Sequence, residues 1–380
     1  MLRYAENRHP GAIDPSDFSH DATADVRRLH RMVPGCAETP LVRLDALARC
    51  AGVGAVYVKD EASRFGLKAF KGLGGIYAMF RIACRALGLD PARTTLRDLA
   101  AEPNRRRLQN MVFATTTDGN HGKGVSWAAG LLGAQARVFM PRGSVPVRAQ
   151  AIRDAGSAVV EITDMRYDDC VAWTRAEAER QGWVLIQDTG EGDVPLWIMK
   201  GYTTLLFEAA ARLPQPPTHL FLQAGVGAMA GAVAAAALSA WPEKPPVIAT
   251  VEPETVACFY ESFAIGDGLP HPATGSGETI MAGLNCAVPC PLAWEILSGC
   301  AAGGLACGDD VTRRGMRLLA EAGVVSGESG AVTAGLLDAL AEPEHRAVRE
   351  ALGLDERSVV LLISTEGDTD PENYARIVEG

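Results

Sequence analysis

From Asn110 to Asp188 the chain alternates short β-rich runs with amphipathic ones: NMVFA, a helical stretch after Gly122, ARVFMP, VPVRAQAIRDAG, AVVEIT, YDDCVAWTRAEAERQG and WVLIQD. The β-rich runs are too short and too apolar to keep one face in water. Repetition of this kind predicts an open parallel sheet with helices on both faces. A second series follows in HLFLQAG, an Ala-rich helix, PVIATVEP and, near the end, SVVLLISTEG. The expected organisation is a larger domain from residues 1–89 and 201–380 and a smaller α/β domain from 90–200. No Ser- or Gly-rich linker separates them, which predicts two packed domains with a cleft between. Ligands of such sheets bind beyond the carboxyl ends of the strands.

Composition narrows the partner. Of 380 residues, 48% are hydrophobic and 22% charged, and the formal net charge is −10. The basic residues are scattered, so neither nucleic acid nor an anionic membrane is an expected partner. GAMAGAVAAAALSAW, Gly227 to Trp241, is shorter than a membrane span and reads as a core helix. MLRYAENRHPGAIDPSDF lacks the apolar segment of a signal peptide, and a cytoplasmic location is expected. The nine cysteines form no CxxC pair and no metal site is predicted.

Four loops carry chemistry. TTTDGNHGKG (Thr115 to Gly124) runs from a strand into a helix, a junction whose free amides and dipole favour anions. An aspartate at its centre has two readings: Asp118 caps the helix, or it is a reactive acid. In FLQAGVGAMAGAVAAAAL, Gly225, Gly227 and Gly231 precede or open a helix, as a phosphate cradle does, although close helix packing also uses small residues. In VYVKDEASRFGLKAFKGLGG, Lys71 stands where a helix begins, so that its ammonium meets the positive end of the dipole. Burial or a like charge favours the free amine of such a lysine, the form a Schiff base needs. Lys68 competes with it. The last loop, LLISTEGDTD, turns from a buried strand into hydroxyl and acidic residues.

Taken together and in this order, the loops resemble the fold-type II family of pyridoxal 5'-phosphate enzymes. Within it the chain is most similar to the diaminopropionate ammonia-lyases, through KDEASRFGLKAFKGLGG, ATTTDGNHGKGVSWAA, QDTGEGDVPLWIMKGY, IMAGLNC and STEGDTD. The resemblance implies two open twisted sheets of parallel type, an active site in the interdomain cleft and a homodimer. Lys71 is implied to bond the cofactor, Asn120 to contact its phenolic oxygen, and Gly225, Val226, Gly227, Ala228 and Met229 to hold its phosphate. Ser364 is implied to hydrogen-bond the pyridine nitrogen. A hydroxyl there leaves the ring closer to neutral than a carboxylate would, which suits prompt loss of a β leaving group.

The same resemblance places Thr116 and Thr117 backbone amides on a substrate carboxylate and makes Asp118 and Asp188 substrate-contacting. Most relatives carry Ser at the position of Asp118. An acid on the face opposite Lys71 would allow proton abstraction from either Cα configuration. The implied reaction is α,β-elimination of D- or L-2,3-diaminopropionate to pyruvate and ammonia, with Lys71 and Asp118 catalytic. Between the DT of QDTG and the following proline the family carries a longer segment with an aromatic pair resembling AWEGY, where this chain reads DTGEGDVPLW. That departure motivates an alternative, a dehydratase or lyase for serine, threonine or another β-substituted amino acid.

Overall fold

The structure, a computed structural model, describes residues 2–380. Eleven strands are found among them: β1 (Arg3–Glu6), β2 (Leu41–Arg43), β3 (Ala55–Asp60), β4 (Val112–Thr116), β5 (Gln135–Met140), β6 (Ala158–Ile162), β7 (Val184–Leu185), β8 (His219–Gln223), β9 (Val247–Pro253), β10 (Ala301–Cys307) and β11 (Val359–Ser364). Their contacts divide the chain into two compact units.

One unit comprises the N-terminal residues up to Ala22, Glu38–Ser63 and Leu205–Gly380. Its sheet runs β1-β10-β9-β8-β11-β3-β2. The five inner strands are parallel, and β8 (HLFLQ) and β11 (VVLLIS) are buried along their whole length. Both faces of these strands are therefore covered, as their continuous apolar runs require. The edges differ from the expected parallel pattern: β1 pairs antiparallel with β10, and β2 antiparallel with β3. Strands of three and four residues are too short to announce themselves by periodicity.

The other unit comprises Thr23–Ala37 and Arg64–Thr204, around an all-parallel sheet β6-β5-β4-β7. Its boundaries differ from those read in the sequence, because residues 64–89 group here and not with the larger unit. The reason is the helix Gly72–Leu87, which is buried over most of its length and lies backbone to backbone on its neighbours. A methyl on Gly201 would stand 2.6 Å from the Cα of Gly74, and one on Gly74 would stand 2.7 Å from Tyr202 Cε1. Only glycine lets the helix Asp193–Ala210 approach this closely. Among the described residues, no helix is long and apolar enough to cross a membrane.

Candidate active site

Lys71 caps the N-terminus of the helix Gly72–Leu87 and its side chain is largely shielded from solvent. Its Nζ lies 2.5 Å from Asp188 Oδ2, so the lysine stands in the structure as a charge-paired ammonium. Burial by itself would raise the Asp188 carboxyl. The Lys71 charge, the neighbouring His121 and the hydrogen bond from Lys71 outweigh it and hold Asp188 at about 2. Beside the positive end of the helix expected from the sequence, the structure sets Lys71 against a carboxylate 117 residues away. Lys68, the competing lysine, is exposed in a left-handed backbone conformation with φ 54°.

Three more groups surround the pair. The Nζ of Lys71 is 5.3 Å from the ring centre of Phe70 and 5.8 Å from that of Tyr202, and the two rings are 4.7 Å apart. His121 is buried, with Nε2 2.9 Å from Ile186 O. A carbonyl only accepts, so Nε2 carries the proton, and burial keeps the ring neutral. Its Nδ1 is then a bare lone pair, and it has no hydrogen-bond partner. The Tyr202 hydroxyl is likewise buried, and burial raises its pKa against the opposing charge of Lys71, so it keeps its proton. Sequence reasoning missed Phe70 and Tyr202. The signal for Tyr202 was the glycine pair Gly74 and Gly201, whose meaning appears only when the helices are packed.

The TTTDGNHGKG loop joins β4 to the helix Asn120–Leu132. The N-cap position is Gly119, and the side chain that serves the helix head is Thr117 and not Asp118: Thr117 Oγ1 accepts from Gly119 N at 3.0 Å and Gly122 N at 3.1 Å. Asp118 is half-buried, and desolvation lifts its carboxyl to about 6 against the opposing charge of Arg148. Asn120, also half-buried, opens the helix. The amides of Thr116 and Thr117 were expected to hold a carboxylate. They are already engaged, with Gln187 Oε1 at 3.4 Å and Phe139 O at 3.1 Å respectively. Thr116 also turns its hydroxyl into the interior, 2.8 Å from Thr174 Oγ1. Both residues therefore build the loop.

In the other unit, Gly225, Val226 and Gly227 follow β8, and Ala228 and Met229 open the helix Ala228–Ala240. Gly227 has φ +86°, and a methyl there would collide with the Phe259 ring. At Gly225 a methyl would press on Cys286 Sγ and Gly283 O, at 3.1 and 3.2 Å. Cys258 donates from the other side, its Sγ 3.8 Å from Gly225 O. The thiol of Cys258 is pushed up by burial and by the nearby Glu252. The amides of this helix's first turn have no carbonyl partner within the helix and project from a tightly held, glycine-built turn, which is the donor set that a phosphate takes. Ser364 ends β11, fully buried, with Oγ 2.7 Å from Ser326 Oγ. Ser326 is a second residue absent from the sequence reading.

Residues 33–365 match the family of pyridoxal-phosphate dependent enzymes. The chain belongs to this family. It is 43% identical over 374 residues to the diaminopropionate ammonia-lyase of Escherichia coli strain K12, covering 95% of this chain and 92% of the relative. Among solved structures it is similar to the Escherichia coli diaminopropionate ammonia-lyase in complex with D-serine, with TM-score 0.91 and 40% identity over 100% of this chain and 97% of that one. The same enzyme bound to an aminoacrylate-PLP azomethine reaction intermediate gives TM-score 0.90 and 41% identity, again covering 100% and 97%. The residues present fit the family's cofactor: a shielded lysine beside two aromatic rings, a glycine turn at a helix head, and a buried serine whose hydroxyl hydrogen can be redirected because Ser326 can donate in its place.

Proposed function

We propose that this chain is a pyridoxal phosphate-dependent ammonia-lyase that eliminates ammonia from 2,3-diaminopropionate and yields pyruvate. The observation that carries the reading is the pairing of Lys71 at 2.5 Å with buried Asp188, together with a second acid on the β4 loop, Asp118, whose side chain does not cap the helix that follows. Lys71 would anchor the cofactor, Asn120 and residues Gly225 to Met229 would hold its oxygen and phosphate, and Ser364 would hydrogen-bond its ring nitrogen. The bound cofactor supplies an electron sink that acidifies the substrate's Cα–H. Lys71, acting as a neutral amine and not as the charge-paired ammonium, and Asp118 would take that proton, one from each Cα configuration. With its carboxyl near 6, Asp118 is ionised at neutral pH yet basic enough to accept a proton. Loss of the β-amine leaves an enamine that hydrolyses to pyruvate and a second ammonia.

We carry over a cytoplasmic homodimer as part of this reading, checked by light scattering of the purified protein. The deciding experiment supplies L- and D-diaminopropionate and assays pyruvate. Release from either isomer is expected, and both if Asp118 and Lys71 divide the proton transfer by hand. Turnover of serine with no ammonia from diaminopropionate would replace the reading by the dehydratase alternative, which the short DTGEGDVPLW segment motivates.

A further inference from the structure

β8 and β11 are neighbours in the larger sheet, yet they pair only at His219 with Val360 and Leu220 with Leu361. Each keeps its other partner to the end: β11 follows β3 as far as Ser364 with Asp60, and β8 follows β9 as far as Gln223 with Val251. The two strands therefore part at their carboxyl ends. Had their register continued, Gln223 would stand opposite Ser364. A parting of adjacent parallel strands is where an open α/β sheet receives its ligand. Here one strand runs on into the Gly225–Met229 turn and the other ends on Ser364.

One side chain joins the parted strands. Gln223, buried at the end of β8, donates from Nε2 to Ile363 O at 2.7 Å, and Thr365 Oγ1 and Gly330 O lie 3.3 and 3.5 Å from the same nitrogen. Its Oε1 is buried without a hydrogen-bond partner, and turning the carboxamide over would set that oxygen against two carbonyls. The neighbours thus fix its orientation. Ile363 and Thr365 flank Ser364, so the carboxamide grips β11 on both sides of the serine. A main-chain ladder would draw the strands to about 4.8 Å, whereas a side chain reaching across sets a wider span. All of these residues belong to one unit.

We propose that Gln223 is a positioning residue for the cofactor: its carboxamide holds β8 and β11 at the spacing that lets one molecule meet the Gly225–Met229 turn and the Ser364 hydroxyl together. The inference rests on the proposed roles of that turn and of Ser364 and deepens them. β11 is fastened to β3 beside the serine, where Glu61 N donates to Ser364 O at 2.9 Å, and β8 to β9, where Ala224 N donates to Val251 O at 2.9 Å. Gln223 is the tie between these two halves. An apolar side chain in its place leaves Ile363 O without this donor. Each half then keeps its own fastening while the span between them is released, and phosphate and ring nitrogen are held well only one at a time.

The test uses the holoenzyme carrying pyridoxal phosphate labelled with nitrogen-15 in the ring, and the variants Gln223→Met, Ser364→Ala and the two combined. Nitrogen NMR reads the ring nitrogen, phosphorus NMR reads the phosphate, and equilibrium dialysis gives the dissociation constant of the cofactor. Gln223→Met is expected to move the nitrogen resonance most of the way to its position in Ser364→Ala, to leave the phosphorus resonance in place, and to weaken cofactor binding about fivefold. In the combined variant the second change should add less than about twofold, because both act on one contact. An unmoved nitrogen resonance in Gln223→Met, or losses that multiply in the combined variant, overturn the proposal. Where Gln223→Met does not fold, Thr365→Val, which removes the hydroxyl 3.3 Å from Nε2, is read in the same way. A nitrogen resonance unmoved by Ser364→Ala removes the role on which the proposal stands, and the proposal with it. Absence of pyruvate release from diaminopropionate would instead sink the lyase reading and leave the comparison of resonances to decide the positioning role.

Discussion

Lys71 Nζ and Asp188 Oδ2 stand 2.5 Å apart, in a pair that has lost most of its contact with water. Asp188 is held at about 2, below the ordinary carboxylate range, and a fall of that size stabilises the folded state by about 2 kcal/mol. A depressed carboxyl contributes above its unfolded pKa and loses that contribution as pH falls through the folded value. Cofactor-free Asp188→Asn is therefore expected to be about 2 kcal/mol less stable than wild type at pH 7, with the gap closing between roughly pH 4 and pH 2. Urea unfolding across that series measures it.

Asp118 has the opposite sign. Desolvation raises its carboxyl to about 6, so the folded state binds this proton more tightly than the unfolded chain does. The stability so gained is present at low pH and is lost as pH rises toward and through 6. Asp118→Asn should match wild type in acid and exceed it in melting temperature above pH 6. For catalysis, kcat/KM of the enantiomer that depends on Asp118 should fall below about pH 6. In Asp118→Asn that enantiomer should lose at least about a hundredfold in kcat/KM, with a smaller effect on the other hand.

Thr117 tests the division between cap and acid. Its hydroxyl serves the amides of Gly119 and Gly122, and Thr117→Ala is expected to cost about 1 kcal/mol. Thr117→Ser, which keeps the oxygen, should recover most of it. Chemical denaturation of these variants beside Asp118→Asn separates the roles, because the asparagine variant keeps the cap and should show no such loss at neutral pH.

Gly227→Ala introduces a methyl at φ +86° and against the ring of Phe259. The expected outcome is a loss of about 1–3 kcal/mol in stability and weaker retention of the cofactor phosphate. Equilibrium dialysis against pyridoxal phosphate, with phosphorus NMR of the bound form, reads the second effect apart from turnover.

Much of this arrangement was legible in the sequence because it follows from local rules. Apolar runs such as VVLLIS and HLFLQ are long and continuous enough to declare buried strands, and the loops after them declare where ligands gather. Lys71 at a helix head and Asp188 in the QDTG stretch were both singled out, yet nothing local says that they touch. The use of the Thr116 and Thr117 amides was hidden for a related reason: whether an amide is available depends on partners, Gln187 and Phe139, that lie elsewhere in the chain. Phe70 and Tyr202 were out of reach because their position comes from the close crossing at Gly74 and Gly201, a tertiary event with no periodic signature. The misplaced boundary at residues 64–89 has that same origin.

The Thr117 cap has one consequence beyond stability. Because the hydroxyl of Thr117 serves the amides of the turn, the side chain at 118 is not needed to cap the helix. Architecture and reactivity are assigned to adjacent residues, so the acid can be exchanged for another group while the loop keeps its shape. Such separation makes position 118 a socket: a scaffold at this site can try new proton-transfer chemistry one substitution at a time, without first having to survive the collapse of the turn that presents it.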